Sequence, residues 1–169
     1  MLEPTDTAQL TELLGRNREF LCPWDPLRGD DFFTVEKQTD ITRIALDAYS
    51  AGTMVPMVIL NSAGAVAGRL TINGIVRGAF ESAVLGCWVS ENENGLGLAT
   101  AAVAEAVEFA RTQLGLHRLQ AETLPHNVAS RKVLEKNGFS QYGVAPAYLK
   151  IAGRWQDCVL FQRILTAST

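Results

Sequence analysis

The sequence predicts a mixed α/β domain. Stretches in which apolar residues recur with a helical period alternate with short apolar runs that are typical of strands. The chain has 169 residues, of which 47% are hydrophobic, so it can bury one good core but not two. No internal repeat or low-complexity stretch interrupts this pattern. We therefore expect a single domain over residues 1–169.

Two helices separated by a loop are expected in the N-terminal third. Thr5 or Asp6 can cap the first helix, and two prolines then break the chain around Trp24. The second helix is expected after Asp40, with Gly52 as its stop. The apolar faces consist of Leu10, Leu13 and Leu14 in the first helix and of Ile41, Ile44, Ala45 and Ala48 in the second.

Strands and two more helices are predicted for the remainder of the chain. The predicted strands are residues 54–60, 65–72, 83–89, 118–124 and 159–165. The long helix before the fourth strand ends at Gly115, and its apolar face consists of Val103, Ala106, Val107, Ala110 and Leu114. A short helix between Asn127 and Gly138 follows that strand. Asp157 is expected to fix the turn into the last strand.

Charge and cysteine content exclude several classes of protein. The formal charge of -3, without a basic block, argues against nucleic acid as a direct partner. No run of eighteen apolar residues and no signal-peptide pattern is present, so we expect a cytoplasmic protein without a membrane partner. Three cysteines without C-x-x-C spacing predict reduced thiols rather than disulfides or a zinc site, and no metal is expected.

A glycine-containing turn joins the third strand to the long helix, over residues 89–100. Gly95 and Gly97 allow the backbone to fold tightly, so that several N–H groups and the positive end of the helix can face one anion. The turn lacks the Lys-Ser/Thr pair of nucleoside triphosphate sites and the third glycine of dinucleotide sites. The pattern predicts a different phosphate-bearing ligand, and a plain turn into a helix is the alternative.

A second segment, residues 122–139, has the pattern of a strand end, an Asn cap, a short helix and a Gly stop. Together the two segments resemble the acetyl-CoA-binding core of the GNAT N-acetyltransferase superfamily, which has a Q/R-x-x-G-x-G/A loop and an N-x-x-A/S helix ending in G-F. The resemblance is closest to the RimJ/RimL type, the ribosomal-protein N-terminal acetyltransferases. Residues 85–89, 115–119 and 153–157 agree with that type, and the likeness covers about residues 85–165.

The resemblance implies the GNAT fold, an α/β (α+β) arrangement in which a mixed, mainly antiparallel central sheet has helices on both faces. It also implies acetyl-CoA as co-substrate. In the family the pantetheine arm pairs with exposed backbone of the strand before the loop, which makes the Val89 N–H a partner for the thioester oxygen. The cofactor-binding residues implied are Cys87, Trp88, Val89, Asn92, Asn94, Gly95, Leu96, Gly97, Thr100, Asn127 and Ser130. Asn92 replaces the Gln or Arg with which the family loop usually opens.

Two catalytic candidates emerge. Many family members protonate the leaving thiolate with a Tyr seven residues after the Asn, but Leu134 occupies that place and cannot donate. In RimL-like relatives a Ser at the position of Ser130 stands near the sulfur, so we expect Ser130 to hydrogen-bond the thiolate. Asn127 and Ser130 also suit an ordinary helix start. Glu122 is the candidate base, with an exposed strand carboxylate as the alternative. RimL-like relatives have a catalytic carboxylate at a position that Leu149 occupies in this chain.

The acceptor is expected to lie against the N-terminal helices and their loop. Residues 21–40 carry an excess of acidic side chains, which would attract cationic amines or basic peptide ends. An apolar surface is expected there from Trp24, Phe32 and Phe33. This surface is consistent with the wall of a groove and with the interface of a homodimer.

Three functions fit this sequence. We favour an N-acetyltransferase that acts on an N-terminal α-amine of a protein or peptide. The alternatives are acetylation of a small amine, such as a polyamine, an antibiotic or an amino acid, and a non-catalytic acyl-CoA-binding sensor. Other acyl groups, including succinyl, also fit.

Overall fold

A six-stranded sheet organises the computed structural model, which describes residues 1–165. The strands are β1 (Val55–Leu60), β2 (Val66–Val76), β3 (Ser82–Val89), β4 (Arg118–Thr123), β5 (Ser140–Ile151) and β6 (Arg154–Ile164). Their order in the sheet is β1-β2-β3-β4-β6-β5. Only the β3–β4 pair is parallel among these neighbours, so the predicted mixed, mainly antiparallel sheet is confirmed.

Helices cover both faces of the sheet, as predicted. They are α1 (Thr7–Arg16), α2 (Arg18–Leu21), α3 (Val35–Ser50), α4 (Leu98–Thr112) and α5 (Val128–Lys136). The larger core lies on the α4 and α5 side, where Leu70 and Leu85 of the sheet pack with Val103. The smaller core lies on the other face, where Trp88 packs with Leu10 and Ala45 of α1 and α3. Side chains alternate between these faces along each strand.

The sheet opens between β3 and β4. Only residues 82–84 pair with residues 118–120. Beyond that point β3 stays paired with β2 as far as Val89, and β4 stays paired with β6 as far as Thr123. One end of the two central strands is therefore splayed apart, which leaves a stretch of β3 backbone without a partner strand on that side.

The structure differs from the predicted start of α3, which was placed after Asp40. The helix begins at Val35, because the Thr34 hydroxyl accepts a hydrogen bond from the Lys37 N–H at 3.3 Å and caps it. Buried Gln38 donates to the Phe32 carbonyl at 2.6 Å and fixes the preceding turn. The first turns of α3 are mostly polar and show no apolar periodicity. The sequence pattern therefore indicated only the later part of the helix.

A strand was also missed. Residues 140–151 form β5, whose side chains are almost all exposed and therefore do not alternate in polarity. The last strand begins at Arg154 rather than at residue 159. Asp157 lies within β6, and its Oδ1 accepts a hydrogen bond from the Ala147 N–H at 2.8 Å. It fixes an irregularity in β5, so its predicted role in a turn was wrong.

None of the helices formed by residues 1–165 is long and apolar enough to cross a membrane. Residues 166–169, the end of the expected domain, lie outside the described residues.

Candidate active site

A central cleft of about 450 Å³ lies where β3 and β4 separate. It continues over the sheet face that carries α1 and α3, since Leu14 and Gln38 belong to its wall. Several residues predicted for the site line it, namely Cys87, Trp88, Glu122, Asn127 and Ser130. The glycine turn lies at the end of β3, outside the cleft walls, and leads into α4.

The glycine turn has the backbone that an anion site requires. Gly95 has φ 78° and Gly97 has φ 81°, and a Cβ added at either would meet no atom within 4 Å. The left-handed conformation, rather than lack of space, therefore calls for glycine. Gly97 caps α4 without a side chain, so no side-chain cap occupies the first N–H groups of this 15-residue helix. These groups and the helix dipole face the turn.

Two asparagines hold the segment that precedes the glycines. The Asn17 Oδ1 accepts a hydrogen bond from the Glu91 N–H at 2.8 Å, and its Nδ2 donates to the Ser90 Oγ at 3.0 Å. Asn17 is only 4% exposed. From the other side, the Asn61 Nδ2 donates to Glu93 Oε1 at 2.8 Å. The turn is therefore anchored to α1 and to the β1–β2 connection.

The free edge of β3 presents backbone groups to the opening. The Ser90 N–H donates to the Ala67 carbonyl at 2.7 Å, which makes Val89 and Gly68 a pair that exchanges no hydrogen bonds. The N–H and C=O of Val89 therefore point away from β2, toward the gap. By the same alternation, those of Cys87 also face the gap. The Val89 N–H is thus oriented as its predicted role requires, and that role stays a prediction.

Cys87 is exposed, and it lies among the residues that line the cleft. Partial desolvation by these surroundings raises the pKa of its thiol to about 11. The thiol is therefore protonated at neutral pH, and a protonated thiol is a poor nucleophile. This favours direct attack by the acceptor over an acyl-cysteine route.

Asn127 caps α5, as one of the two interpretations predicts. Its Oδ1 accepts a hydrogen bond from the Ser130 N–H at 3.1 Å. Within residues 1–165 the Ser130 hydroxyl has no hydrogen-bond partner, and it lies at the cleft wall beside buried Leu134. The hydroxyl is therefore available to a ligand, while the helix start uses the Asn127 side chain.

The start of α4 is also tied to the end of α5. The Asn137 Nδ2, at the end of α5, donates to the Thr100 carbonyl at 3.1 Å. Arg163 of β6 donates in turn to the Asn137 carbonyl. The first turn of α4, which carries Thr100, is therefore fixed relative to α5 and Ser130.

Glu122 projects from β4 toward the α1 and α3 side, because Ala121 and Thr123 point the other way. Burial raises the pKa of its carboxyl group. Its negative charge is the first cause of the raised pKa of Tyr148 and also contributes to that of Cys158. A carboxylate with a raised pKa in a cleft is suited to accept a proton from an ammonium group.

Arginines pair with three of the five acidic residues of the predicted acidic rim. Asp25 pairs with Arg28 at 2.8 Å and Asp30 with Arg18 at 2.5 Å, both near the surface. A third carboxylate, Asp40, pairs with Arg43 at 3.5 Å. Asp31 and Glu36 form no ion pair within residues 1–165, and the attraction of cations to this loop stays a prediction.

The loop that carries Trp24 is fixed beside the cleft. The rings of Trp24 and His126 contact each other with centroids 5.4 Å apart. The Ala152 N–H donates to the Asp25 carbonyl at 3.0 Å. This loop therefore forms a wall between α5 and the β5–β6 turn.

Sequence reasoning missed polar residues of the cleft. Arg69, Thr71 and Asn73 of β2 line it, as does the buried Thr123 of β4. A period-2 alternation of polar side chains over residues 69–73 was the available signal. No sequence signal indicated Thr123, since a single Thr is common in strands. Within residues 1–165 no group of three or more potential metal ligands lies together.

Comparison with known proteins decides the family. The family model described as "Acetyltransferase (GNAT) domain" matches residues 1–140. The chain belongs to the GNAT acetyltransferase family. This acetyltransferase is 36% identical over 162 residues to "Probable N-acetyltransferase YjcK" of Bacillus subtilis (strain 168), covering 92% of this chain and 87% of that protein. It is an N-acetyltransferase whose relatives include a ribosomal-protein-alanine acetyltransferase and RimJ.

The acetyltransferase is 27% identical over 161 residues to the [Ribosomal protein uS5]-alanine N-acetyltransferase of Escherichia coli (strain K12), covering 95% of this chain and 83% of that protein. Among solved structures, the Vibrio fischeri ribosomal-protein-S5-alanine acetyltransferase is 27% identical with a TM-score of 0.93, covering 98% of this chain and 91% of that one. Mycobacterium smegmatis RimJ, solved in complex with CoA-disulfide, is 32% identical with a TM-score of 0.92. The match covers 96% of this chain and 79% of that one.

Proposed function

We propose that this acetyltransferase moves an acetyl group from acetyl-CoA to the α-amine of a protein or peptide N-terminus. The observation that carries the proposal is the continuous path from the glycine turn, along the free edge of β3, to the cleft with Ser130 and Glu122. The relatives named for ribosomal-protein acetylation and the RimJ complex with CoA-disulfide support it.

The residues present fit acetyl-CoA. The uncapped N-terminus of α4 and the backbone of Asn92, Gly95, Leu96 and Gly97 offer N–H donors to a pyrophosphate, and Thr100 adds a hydroxyl. The Asn94 N–H donates to the Glu91 carbonyl at 3.1 Å, so only the side chain of Asn94 is left for a ligand. The unpaired backbone between Cys87 and Val89 suits the amide groups of a pantetheine arm, beside Trp88 and Asn127 at the cleft wall.

The groups proposed to act on the acceptor amine and on the leaving thiolate lie on opposite sides of the sheet. The acceptor amine attacks the thioester carbonyl carbon from the α1 and α3 side, where Glu122 or water takes its proton. The Val89 N–H stabilises the oxyanion that develops. When the carbon–sulfur bond breaks, the Ser130 hydroxyl on the α5 side hydrogen-bonds the thiolate that leaves.

The proton balance favours an α-amine over a lysine side chain. An α-amine has a pKa of about 7.7 to 8.0, so roughly a tenth is neutral at pH 7, whereas a Lys amine near about 10.4 is almost wholly protonated. One partly buried carboxylate is a modest base, so the α-amine is favoured over the Lys amine. We place this activity in the cytoplasm, where ribosomal proteins are made.

The test is CoA thiol release from acetyl-CoA across Ser-, Ala- and Met-starting peptides, polyamines and aminoglycosides. The proposal expects release with one peptide class. Release with small amines alone would make the protein an enzyme of metabolite or drug modification. CoA binding without release for any acceptor would support an acyl-CoA sensor and contradict the proposal.

A further inference from the structure

Three polar side chains of β2 form a stripe in the central cleft that the reaction described above does not use. Arg69, Thr71 and Asn73 occupy alternate positions of the strand, so they share its α1 and α3 face. All three are half-buried. The Asn73 Nδ2 donates to the Thr71 Oγ1 at 2.8 Å. We call these residues the β2 stripe.

Arg69 has no partner in the part of the chain that the structure describes. Its Nε is buried without a hydrogen bond, and its guanidinium forms no ion pair with residues 1–165. Burial also lowers its pKa. A desolvated guanidinium is costly unless oxygen atoms accept its N–H groups. Here water or a ligand in the cleft has to supply those oxygens, because no described residue does.

No carboxylate of the cleft forms an ion pair with Arg69 within residues 1–165. Asp25 pairs with Arg28, with a separation of 2.8 Å. Glu122 lies on the same face of the sheet as Arg69 but forms no hydrogen bond or ion pair with it. The cleft therefore presents an unpaired guanidinium on the side where the acceptor enters. Such a group attracts an oxygen ligand.

Space next to the stripe is open to a ligand backbone. Gly86 of β3 lies opposite Thr71, and a Cβ there would meet the Thr71 Oγ1 at 3.7 Å and the Asn73 Nδ2 at 4.0 Å. No side chain of β3 therefore covers the middle of the stripe, and Gly86 lines the cleft.

We propose that the β2 stripe, through Arg69, binds the carbonyl or carboxylate oxygen next to the acceptor's amine and so selects acceptors of the α-amino acid type. The inference rests on the acetyl transfer proposed above. A peptide N-terminus offers its first carbonyl, and a free amino acid offers its carboxylate. Polyamines and simple alkylamines have no such oxygen.

The experiment compares Arg69→Met and Arg69→Lys with Arg43→Met, an exposed α3 arginine that forms surface ion pairs. The acceptors are alaninamide, an alanyl dipeptide amide, free alanine, isopropylamine and spermidine. For Arg69→Met we expect KM for alaninamide and the dipeptide amide to rise about tenfold or more, as for loss of a charged hydrogen bond. KM for acetyl-CoA and kcat/KM for isopropylamine stay unchanged. Arg69→Lys falls between, and Arg43→Met matches the wild type.

Folding is a separate readout. Because the Arg69 guanidinium bonds to no described residue, Arg69→Met is expected to keep or raise Tm without acceptor. An equal loss of activity for alaninamide and isopropylamine would show a structural role and overturn the proposal. So would unchanged kinetics in both Arg69 variants.

The two proposals fail differently. Wild-type activity on free alanine but not on the peptide amides would contradict peptide acetylation, yet leave the selectivity of Arg69 measurable and identify a carboxylate as its ligand. Wild-type activity on spermidine alone would overturn both. Peptide activity that does not depend on Arg69 would overturn this inference only.

Discussion

Asn17 and Glu91 are 74 positions apart in the sequence, yet the Asn17 Oδ1 accepts a hydrogen bond from the Glu91 N–H at 2.8 Å. Asn17 ends α1, and Glu91 begins the segment that leads into the glycine turn. The helix on the acceptor side and the turn on the CoA side are thus joined through one buried side chain. A displacement of one relative to the other would break this bond.

Asn17→Ala is expected to raise KM for acetyl-CoA and to lower the free energy of unfolding by about 1–3 kcal/mol. It leaves the Glu91 N–H and the buried Ser90 hydroxyl without their shared partner. Isothermal titration with CoA and chemical denaturation check this. Gln9→Ala, which removes an exposed amide from the same helix, is the control and has no effect. Equal CoA affinity in both variants would contradict the anchoring role.

Gly97→Ala is expected to weaken CoA binding, since its φ of 81° costs an L-residue about 1–2 kcal/mol. KM for acetyl-CoA rises about tenfold, and kcat changes little because the cleft is untouched. The matched control is Gly15→Ala, an exposed α1 glycine with ordinary φ and open space, which gains about 0.5–1 kcal/mol of stability. If both variants bound CoA like the wild type, the turn would not be a phosphate site.

Ser130→Ala is expected to lower kcat by about 10- to 100-fold, the loss of a hydrogen bond to a developing charge. CoA affinity stays the same, because the backbone N–H of residue 130 still bonds to Asn127. Stopped-flow thiol release separates the chemical step from product release. Ser50→Ala, on the far end of α3, serves as control. An unchanged kcat for Ser130→Ala would remove Ser130 from the mechanism.

Glu122→Gln is expected to stabilise the protein at neutral pH. The pKa of Glu122 is raised in the fold, so ionisation disfavours the folded state and wild-type stability falls as pH rises from about 4.3 through the raised value. The variant is therefore more stable than wild type above that window and equal to it below about pH 4. Thermal unfolding across pH checks this, and a constant difference would contradict it.

The same substitution tests the base. kcat/KM for a peptide α-amine is expected to fall by about tenfold, a modest loss because part of the amine is already neutral and water can take the proton. Asp157→Asn changes a carboxylate that binds the Ala147 N–H on β5 instead. It is expected to cost stability rather than kcat. A larger kcat loss in Asp157→Asn would reassign the base.

Local patterns allowed much of the fold to be predicted. The α4 face with Val103 and Val107, the turn with Gly95 and Gly97, and the Asn127 cap each depend on neighbours within a few positions. Such signals survive in a single sequence because backbone conformation and helix burial impose them directly. The family resemblance then supplied the sheet arrangement, which local patterns alone do not specify.

The missed features depend on distant contacts. β5 pairs along β6 with exposed side chains, so its stability comes from the hairpin rather than from an apolar period. Asn17 looks like any polar helix end until the chain returns at Ser90 and Glu91. Arg69 resembles an ordinary strand cation, and only its burial without a partner distinguishes it. Tertiary structure, not residue type, gives these residues their roles.

The most direct test of the central claim uses one peptide that begins with Ala and contains an internal Lys, incubated with acetyl-CoA and the protein. Tandem mass spectrometry locates the added acetyl group. We predict acetylation at the α-amine, lost when that amine is blocked and reduced in Ser130→Ala. Acetylation of the Lys side chain, or no acetylation while spermidine is modified, would contradict the account.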